Sequence, residues 1–293
     1  MSSQHHHTAG STQGNTLGKV YLVGAGPGAA DLITVRGAKL LARAEIVLHD
    51  ALVEPEMLAL CPQAIKVPVG KRCGKLSSAQ HFINKRLVDA AKQHQIVVRL
   101  KGGDPMLFGR ADEEISTLRQ AGIEVEVVPG ITAALAGAAS LQQSLSLRGI
   151  SRSVAFVTLA QASSDQDYST AASQPIPNPS ADTLVYYMGR KDAAKIAQQL
   201  INLNHPHHCD TSVHILEAVS TPRERHWSST LGQLAQGIAD PWFDSSSPAL
   251  IMVGEALKAE LPEMTTTLDK NSSAKIDNGL QDSLILTNGR RRA

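Results

Sequence analysis

Val97-Val98-Arg99-Leu100-Lys101-Gly102-Gly103-Asp104-Pro105-Met106-Leu107-Phe108-Gly109-Arg110 is the stretch that decides how this chain folds. It begins as an apolar run rich in β-branched residues, the pattern of a buried strand. Gly102-Gly103 breaks the run, where the backbone can turn and a ligand can approach without meeting a Cβ. Asp104-Pro105 then reads as a helix N-cap followed by proline at the first helical position. In α/β sheets, ligands sit at such carboxyl ends of strands. The alternative is a plain strand-to-helix turn in which Asp104 only caps.

Outward from this stretch, strand and helix patterns alternate. Residues 19–23 read as a first strand, ending in Gly24-Ala25-Gly26-Pro27-Gly28, with a helix over 32–44. Strands follow at 46–48 and 65–67, separated by a short helix near 55–60. A basic loop, Gly70-Lys71-Arg72-Cys73-Gly74-Lys75, leads into a helix over 78–93. After the opening stretch come a helix over 112–121, stopped by Gly122, and a fifth strand over 125–128. The pattern restarts with an Ala-rich helix over 131–141 and a strand over 153–159. Residues 161–180 form a Ser/Pro/Asp-rich segment without apolar period, long enough to suggest a lid or an insertion. Strands at 183–187, 212–217 and 249–254, a helix to about 203, a pairing segment at 223–228 and a short helix at 231–237 complete the second half. The expected architecture is α/β, with a largely parallel first sheet. Its expected parts are a disordered tail (1–17), an N-terminal α/β domain (18–130), a C-terminal α/β domain (131–259) and a second disordered tail (260–293).

Composition limits the partners. The 293 residues are enough for two cores, and 42% are apolar. Twenty-eight basic and 27 acidic residues give a formal charge of +1, which argues against broad nucleic-acid or anionic-membrane binding. Cys61, Cys73 and Cys209 are scattered without a C-x-x-C pair, so neither a disulfide framework nor a zinc site is expected, and a reducing cytoplasm fits. No secretory h-region or long apolar run is present. His5-His6-His7 reads as a tag remnant or polar tail, and no residue is assigned to a metal.

Gly24-x-Gly26-Pro27-Gly28, with Asp50 after the second strand, invites a dinucleotide reading and a nicotinamide-dependent oxidoreductase. The third glycine is at the wrong spacing for G-x-G-x-x-G. Pro27 removes an N–H from the loop, and Asp31 places a negative charge near the expected pyrophosphate. A tight turn without a ligand is the plainer reading.

As an ordered set, the motifs point elsewhere. They are residues 20–28, Asp50-Ala51-Leu52-Val53, Val69-Gly70-Lys71-Arg72, Gln80 with Ile83-Asn84, 98–110, Glu113-Glu114, 127–133, 184–189 and 247–254. The set resembles the tetrapyrrole methylase family, and within it the branch acting on uroporphyrinogen III, over about residues 18–257. The resemblance implies two α/β domains with the cofactor cleft between them, usually in a homodimer. It implies transfer of two methyl groups from S-adenosyl-L-methionine to uroporphyrinogen III, at C2 and C7. The product, precorrin-2, feeds sirohaem, cobalamin or haem d1, and S-adenosyl-L-homocysteine is the by-product. No dehydrogenase and chelatase domain precedes the match, so a monofunctional enzyme is expected.

By the same resemblance, Asp50 is the base and Lys71 a proton donor or carboxylate contact. Chemically, a methyl sulfonium needs mainly an in-line approach, and a base near the pyrrole nitrogen assists attack by the ring carbon. Arg72, Arg110, Arg148 and Arg152 are candidates for the eight substrate carboxylates. Cofactor contacts carry over to Pro27, Gly102, Gly103, Asp104, Leu107, Thr132, Ala133, Met188 and Val219. Thr132-Ala133 opens a helix with free N–H groups. For Asp50 and Lys71 the plain alternatives are a solvated strand-end acid and a surface lysine, and for Met188 a core methionine.

Several positions depart from the family pattern. Leu145-Ser146-Leu147-Arg148 stands where Leu-Thr-His-Arg is common, and Thr158-Leu159-Ala160 where Thr-Gly-His is common. Glu217-Ala218-Val219-Ser220 replaces the usual Glu-Asn-Gly/Ala-Thr, and His49 replaces a tyrosine. These changes leave open a catalytically weak paralogue or a methylase of another tetrapyrrole intermediate.

Overall fold

The computed structural model describes residues 17–70, 76–159, 176, 177, 179–202 and 206–258, with side chains from residue 80 onward in the second of these segments. Both tails, Lys71, Arg72, Cys73, Ala160 and most of 161–180 lie outside them.

The first half is a parallel sheet of β1 (Lys19–Gly24), β2 (Ile46–His49), β3 (Ile65–Pro68), β4 (Ile96–Lys101) and β5 (Val125–Val128). The spatial order is β3-β2-β4-β1-β5. All four ladders are parallel, and β4 is the central strand, with helices over both faces. Strand alternation sends Val20, Leu22, Leu48 and Val97 against Leu87 and Leu118 of α3 (Leu76–Ala91) and α4 (Ala111–Gln120). Val23, Val47, Val98 and Leu100 face Leu41 and Met57 of α1 (Val35–Leu41) and α2 (Pro55–Leu58). α1 starts later than its apolar period suggests. Residues Ala30–Leu32 make a 3-10 turn, and Thr34 caps the helix through a bond from the Gly37 N–H at 3.1 Å.

The second half is a mixed sheet in the order β6-β7-β10-β8-β9. Its strands are β6 (Val154–Thr158), β7 (Thr183–Tyr187), β8 (Ser212–Glu217), β9 (Arg225–Thr230) and β10 (Ala249–Gly254). Only β6 and β7 run parallel. The expected pairing near 223–228 is the antiparallel β8–β9 ladder. α5 (Ala133–Leu141) covers one face, packing Ala134 with Val185, Leu250 and Met252. α6 (Ala193–Asn202) and α7 (Leu231–Ala235) cover the other.

The carboxyl ends of β1, β4 and β5 converge on glycines. Gly103 donates to the Gly26 carbonyl at 2.7 Å and accepts from the Gly26 N–H at 3.2 Å. A Cβ on Gly130 would lie 2.3 Å from the Gly103 carbonyl oxygen and 2.8 Å from Gly24 Cα. Both are backbone atoms, so no side-chain motion relieves the clash. Gly130→Ala is therefore expected to lose about 3 kcal/mol of stability. Gly122→Ala, at φ +70° with open space around it, should lose about 1 kcal/mol from its left-handed backbone alone. Urea midpoints of the two variants make the comparison.

β8 and β9 bring two histidines together. His214 Nε2 donates to the Leu257 carbonyl at 2.7 Å, which leaves Nδ1 to accept from His226 Nε2 at 2.9 Å. Ser228 Oγ lies within bonding distance of both rings. Burial lowers the pKa of both histidines; His214 further lowers that of His226, against a smaller upward effect of Glu224. Unfolded histidines take up a proton near pH 6.5, before the folded pair does. Stability from this pair is thus full above that pH and falls as pH drops through the lower folded values. Denaturant titrations at pH 7.5 and 5.5 should show the loss, and His226→Gln should reduce its size.

Candidate active site at the strand ends

A parallel sheet places the carboxyl ends of all its strands along one edge. Here that edge carries the Gly24–Gly28 turn, Asp50, Gly70, the segment from Gly102 to Arg110, and the segment from Pro129 to Ala133. Gly102 differs from the packed glycines beside it. A Cβ there would meet only Leu52 Cβ, at 3.8 Å, so its outer side is open.

Asp104 is not a helix cap. Its Oδ1 accepts from the Met106 N–H at 2.8 Å and its Oδ2 from the Gly130 N–H at 2.9 Å. The carboxylate thus ties the end of β4 to the end of β5. The next helix, α4, begins only at Ala111. Phe108 and Arg110 intervene in left-handed backbone, at φ 55° and 54°, which a helix does not admit. Such conformations in non-glycine residues concentrate at functional sites, and Met188, Ala218 and Ser220 share them. The exposed Arg110 guanidinium forms a two-pronged pair with Glu113, at 2.6 and 2.8 Å.

Behind the edge lies a network that the motif reading did not resolve into roles. Arg99 and Lys101 point to the α4 side of β4, on the same face as Val97. Arg99 Nε donates to Glu114 Oε1 at 3.0 Å, and Lys101 Nζ to Glu114 Oε2 at 3.0 Å. Arg99 Nη2 donates to Asp50 Oδ1 at 2.5 Å, while Nη1 reaches the Leu100 carbonyl at 3.1 Å and the Leu48 carbonyl at 3.5 Å. The four charges sum to zero. Burial, with the Arg99 cation beside it, lowers the Lys101 pKa despite Glu114 and Asp50. Burial also opposes the Arg99 charge, but Asp50 and Glu114 outweigh it and raise its pKa. The signal was in the sequence: two cations inside a buried strand require buried acids. What it lacked was the identity of those acids.

The opposite wall comes from the second half. Tyr187 Oη bonds to Thr132 Oγ1 at 2.6 Å and accepts the Ala134 N–H at 3.1 Å. One expected free N–H at the start of α5 is therefore taken by the tyrosine. The Tyr187 ring stands edge-on to Phe108, with centroids 5.2 Å apart, and to Phe156 at 6.2 Å. Met188, next in the chain, is exposed. Val219 instead buries its side chain in the core with Ala134 and Leu216. Its backbone belongs to a clamp: Gly28 is pressed against Val219 O and Thr221, and the Ala29 N–H donates to Ser220 Oγ at 3.1 Å. Arg223 adds an ion pair to Glu54 at 2.7 Å. The Gly24–Gly28 turn thus serves this contact.

The structure gathers Pro27, Asp50, Gly102, Gly103, Asp104, Leu107, Thr132 and Ala133 on or beside one edge, with Met188 following Tyr187. His49 Nδ1 donates to the Asp50 carbonyl at 3.1 Å and steadies that turn. Arg148 is exposed in the tight turn closed by Leu147 and Ser151, and Arg152 follows it. Neither guanidinium has an ion pair to the edge among the described residues. Lys71 and Arg72 fall outside the described residues. Among those residues no group of three His, Cys, Asp or Glu side chains is placed to hold a metal.

Comparison with known proteins bears on this geometry. The family model described as Tetrapyrrole (Corrin/Porphyrin) Methylases matches residues 19–235. A siroheme synthase of Stutzerimonas stutzeri is 42% identical over 245 residues, covering 83% of this chain and 50% of the relative. The chain thus spans about half the length of that relative and of the other siroheme synthases it resembles. A uroporphyrinogen-III C-methyltransferase of Pseudomonas aeruginosa is 42% identical over 241 residues, 82% of this chain and 95% of the relative. A crystal structure of uroporphyrin-III C-methyl transferase from Thermus thermophilus complexed with S-adenyl homocysteine superposes with a TM-score of 0.68. It is 36% identical and covers 82% of this chain and 94% of its own. With its two α/β halves and its motifs in place at the strand ends, the chain belongs to the tetrapyrrole methylase family.

Proposed function

We propose that this chain transfers methyl groups from S-adenosyl-L-methionine to C2 and C7 of uroporphyrinogen III, giving precorrin-2 and S-adenosyl-L-homocysteine. The observation that carries the reading is a carboxylate, Asp50, held at the strand ends beside the open face of Gly102. Similarity to the Pseudomonas aeruginosa protein over 95% of its length supports the substrate.

The residues at the edge fit the cofactor. Gly102 leaves room for close approach, and Gly103, Asp104, Leu107, Thr132, Ala133, Pro27 and Met188 are the further contacts in this reading. Val219 contributes through its backbone. When bound, the cofactor supplies an electrophilic methyl group on a sulfonium. The protein's own part is orientation and charge. Asp50 faces the pyrrole N–H, offsets the positive charge that develops there as the ring β-carbon (C2 or C7) takes the methyl group from the sulfonium, and accepts the proton. The exposed Arg148 and Arg152, with Lys71, Arg72 and Arg110, meet the substrate carboxylates. Phe108 and Tyr187 give the macrocycle an aromatic wall.

The reading extends to domains meeting at residues 130/131 and to a homodimer in the cytoplasm, without nucleic-acid or membrane partners. Exposed Leu135, Leu147, Ile150 and Val154 support a subunit contact in that region. The product's place is in sirohaem, cobalamin or haem d1 synthesis. The nicotinamide alternative loses its footing because Gly28 is committed to Thr221 and Val219.

Anaerobic incubation with S-adenosyl-L-methionine and enzymatically generated uroporphyrinogen III should yield a product two methyl groups heavier. Asp50→Asn should lower the rate by about 100-fold or more while calorimetric binding of S-adenosyl-L-homocysteine persists. A wild-type protein that binds this ligand and adds no methyl group contradicts the reading.

A further inference from the structure

We infer that Arg99 is a positioning residue for Asp50, holding its carboxylate in place through a guanidinium locked between α4 and two strands. The inference rests on the methyl-transfer reading and identifies how the reacting carboxylate is oriented.

Three observations carry it. First, Arg99 has no access to a ligand: its side chain is 3% exposed and that of Glu114 is fully buried. Any influence on the reaction must pass through Asp50, whose side chain is 31% exposed. Second, the guanidinium is held from several directions. Glu114 takes Nε, the Leu100 and Leu48 carbonyls take Nη1, and Asp50 takes Nη2. A planar fork bonded on this many sides has no alternative rotamer. It therefore fixes Asp50 Oδ1 relative to β2 and β4 together. Third, among the described residues the other oxygen, Oδ2, has only the long 3.4 Å contact from the Gly102 N–H. Anchoring one oxygen leaves the other to face the open side of Gly102.

Glu114 is held in turn. Lys101 bonds its Oε2, and Gln80 of α3 donates to its Oε1, the oxygen that Arg99 holds, at 3.4 Å. Gln80 also bonds Asn84, which bonds Thr117 at 3.0 Å. The polar side chains of α3 and α4 that recur in the family motif set are thus tied to the residue that orients Arg99.

The test is a double-mutant cycle of Arg99→Lys with Asp50→Asn, reading methyl transfer, S-adenosyl-L-homocysteine affinity and urea midpoint. Lysine keeps the charge but loses the fork. Arg99→Lys alone should lower kcat about 100-fold, with KM for uroporphyrinogen III and the ligand Kd each within about twofold of wild type. In the Asp50→Asn background the same substitution should change kcat by less than about twofold, because the group it orients is already gone. Glu114→Gln, which slackens the guanidinium while keeping its size, gives the same pattern and serves if Arg99→Lys does not fold. Equal falls in both backgrounds, or no fall in either, overturn the inference while an active wild type leaves the methyl-transfer reading standing. An inactive wild type that binds the ligand overturns both.

Discussion

A guanidinium inside a parallel sheet has to find its counter-charges there. Arg99 does so on both sides, with Glu114 behind it and Asp50 in front. Burying ions is costly, and removing one member of such a pair typically costs about 3–5 kcal/mol because the remaining charge is stranded. The arrangement holds α4 on the sheet through Glu114 and turns the end of β2 toward the end of β4 through Asp50. It also explains why β4 changes character along its length. Val97 packs in the core, whereas Arg99 and Lys101, on the same face, form the polar end.

Close packing of backbone completes the edge. Gly24, Gly103 and Gly130 let the ends of β1, β4 and β5 approach to distances that no side chain would permit. Asp104 closes the gap by accepting the Gly130 N–H. Gly28, Ala29 and Glu54 then receive the loop of Ala218 to Arg223 from the second sheet. Tyr187 bonds the first turn of α5 and stands edge-on to Phe108, so the second sheet supplies a wall beside the segment that follows β4 in the first. The edge is therefore rigid where backbone meets backbone, and open at Gly102.

Much of this was legible in the sequence because period and punctuation agreed. Apolar runs ending in glycine marked the strands, and the second-half elements begin and end close to their expected limits. Asp104-Pro105 misled, since a cap signal looks the same when the carboxylate bonds another strand. The neighbouring left-handed Phe108 and Arg110, which end any helix there, have no signature in residue type. The edge position of Asp50 was readable from its place after a strand. Its partner was not, because the Arg99–Asp50 bond joins residues 49 positions apart in sequence. Val219 illustrates the reverse case: a position matched to a cofactor contact whose side chain turns into the core, leaving only backbone near Gly28.

In the proposed reading, the methyl donor lies against the open side of Gly102. A crystal structure of the protein soaked with S-adenosyl-L-homocysteine tests this most directly. The account predicts density against Gly102, Gly103 and Asp104, reaching Thr132-Ala133 and Met188, with Asp50 still bonded to Arg99. A complex with no density against Gly102 and Gly103, or with Asp50 swung away from Arg99, would contradict it.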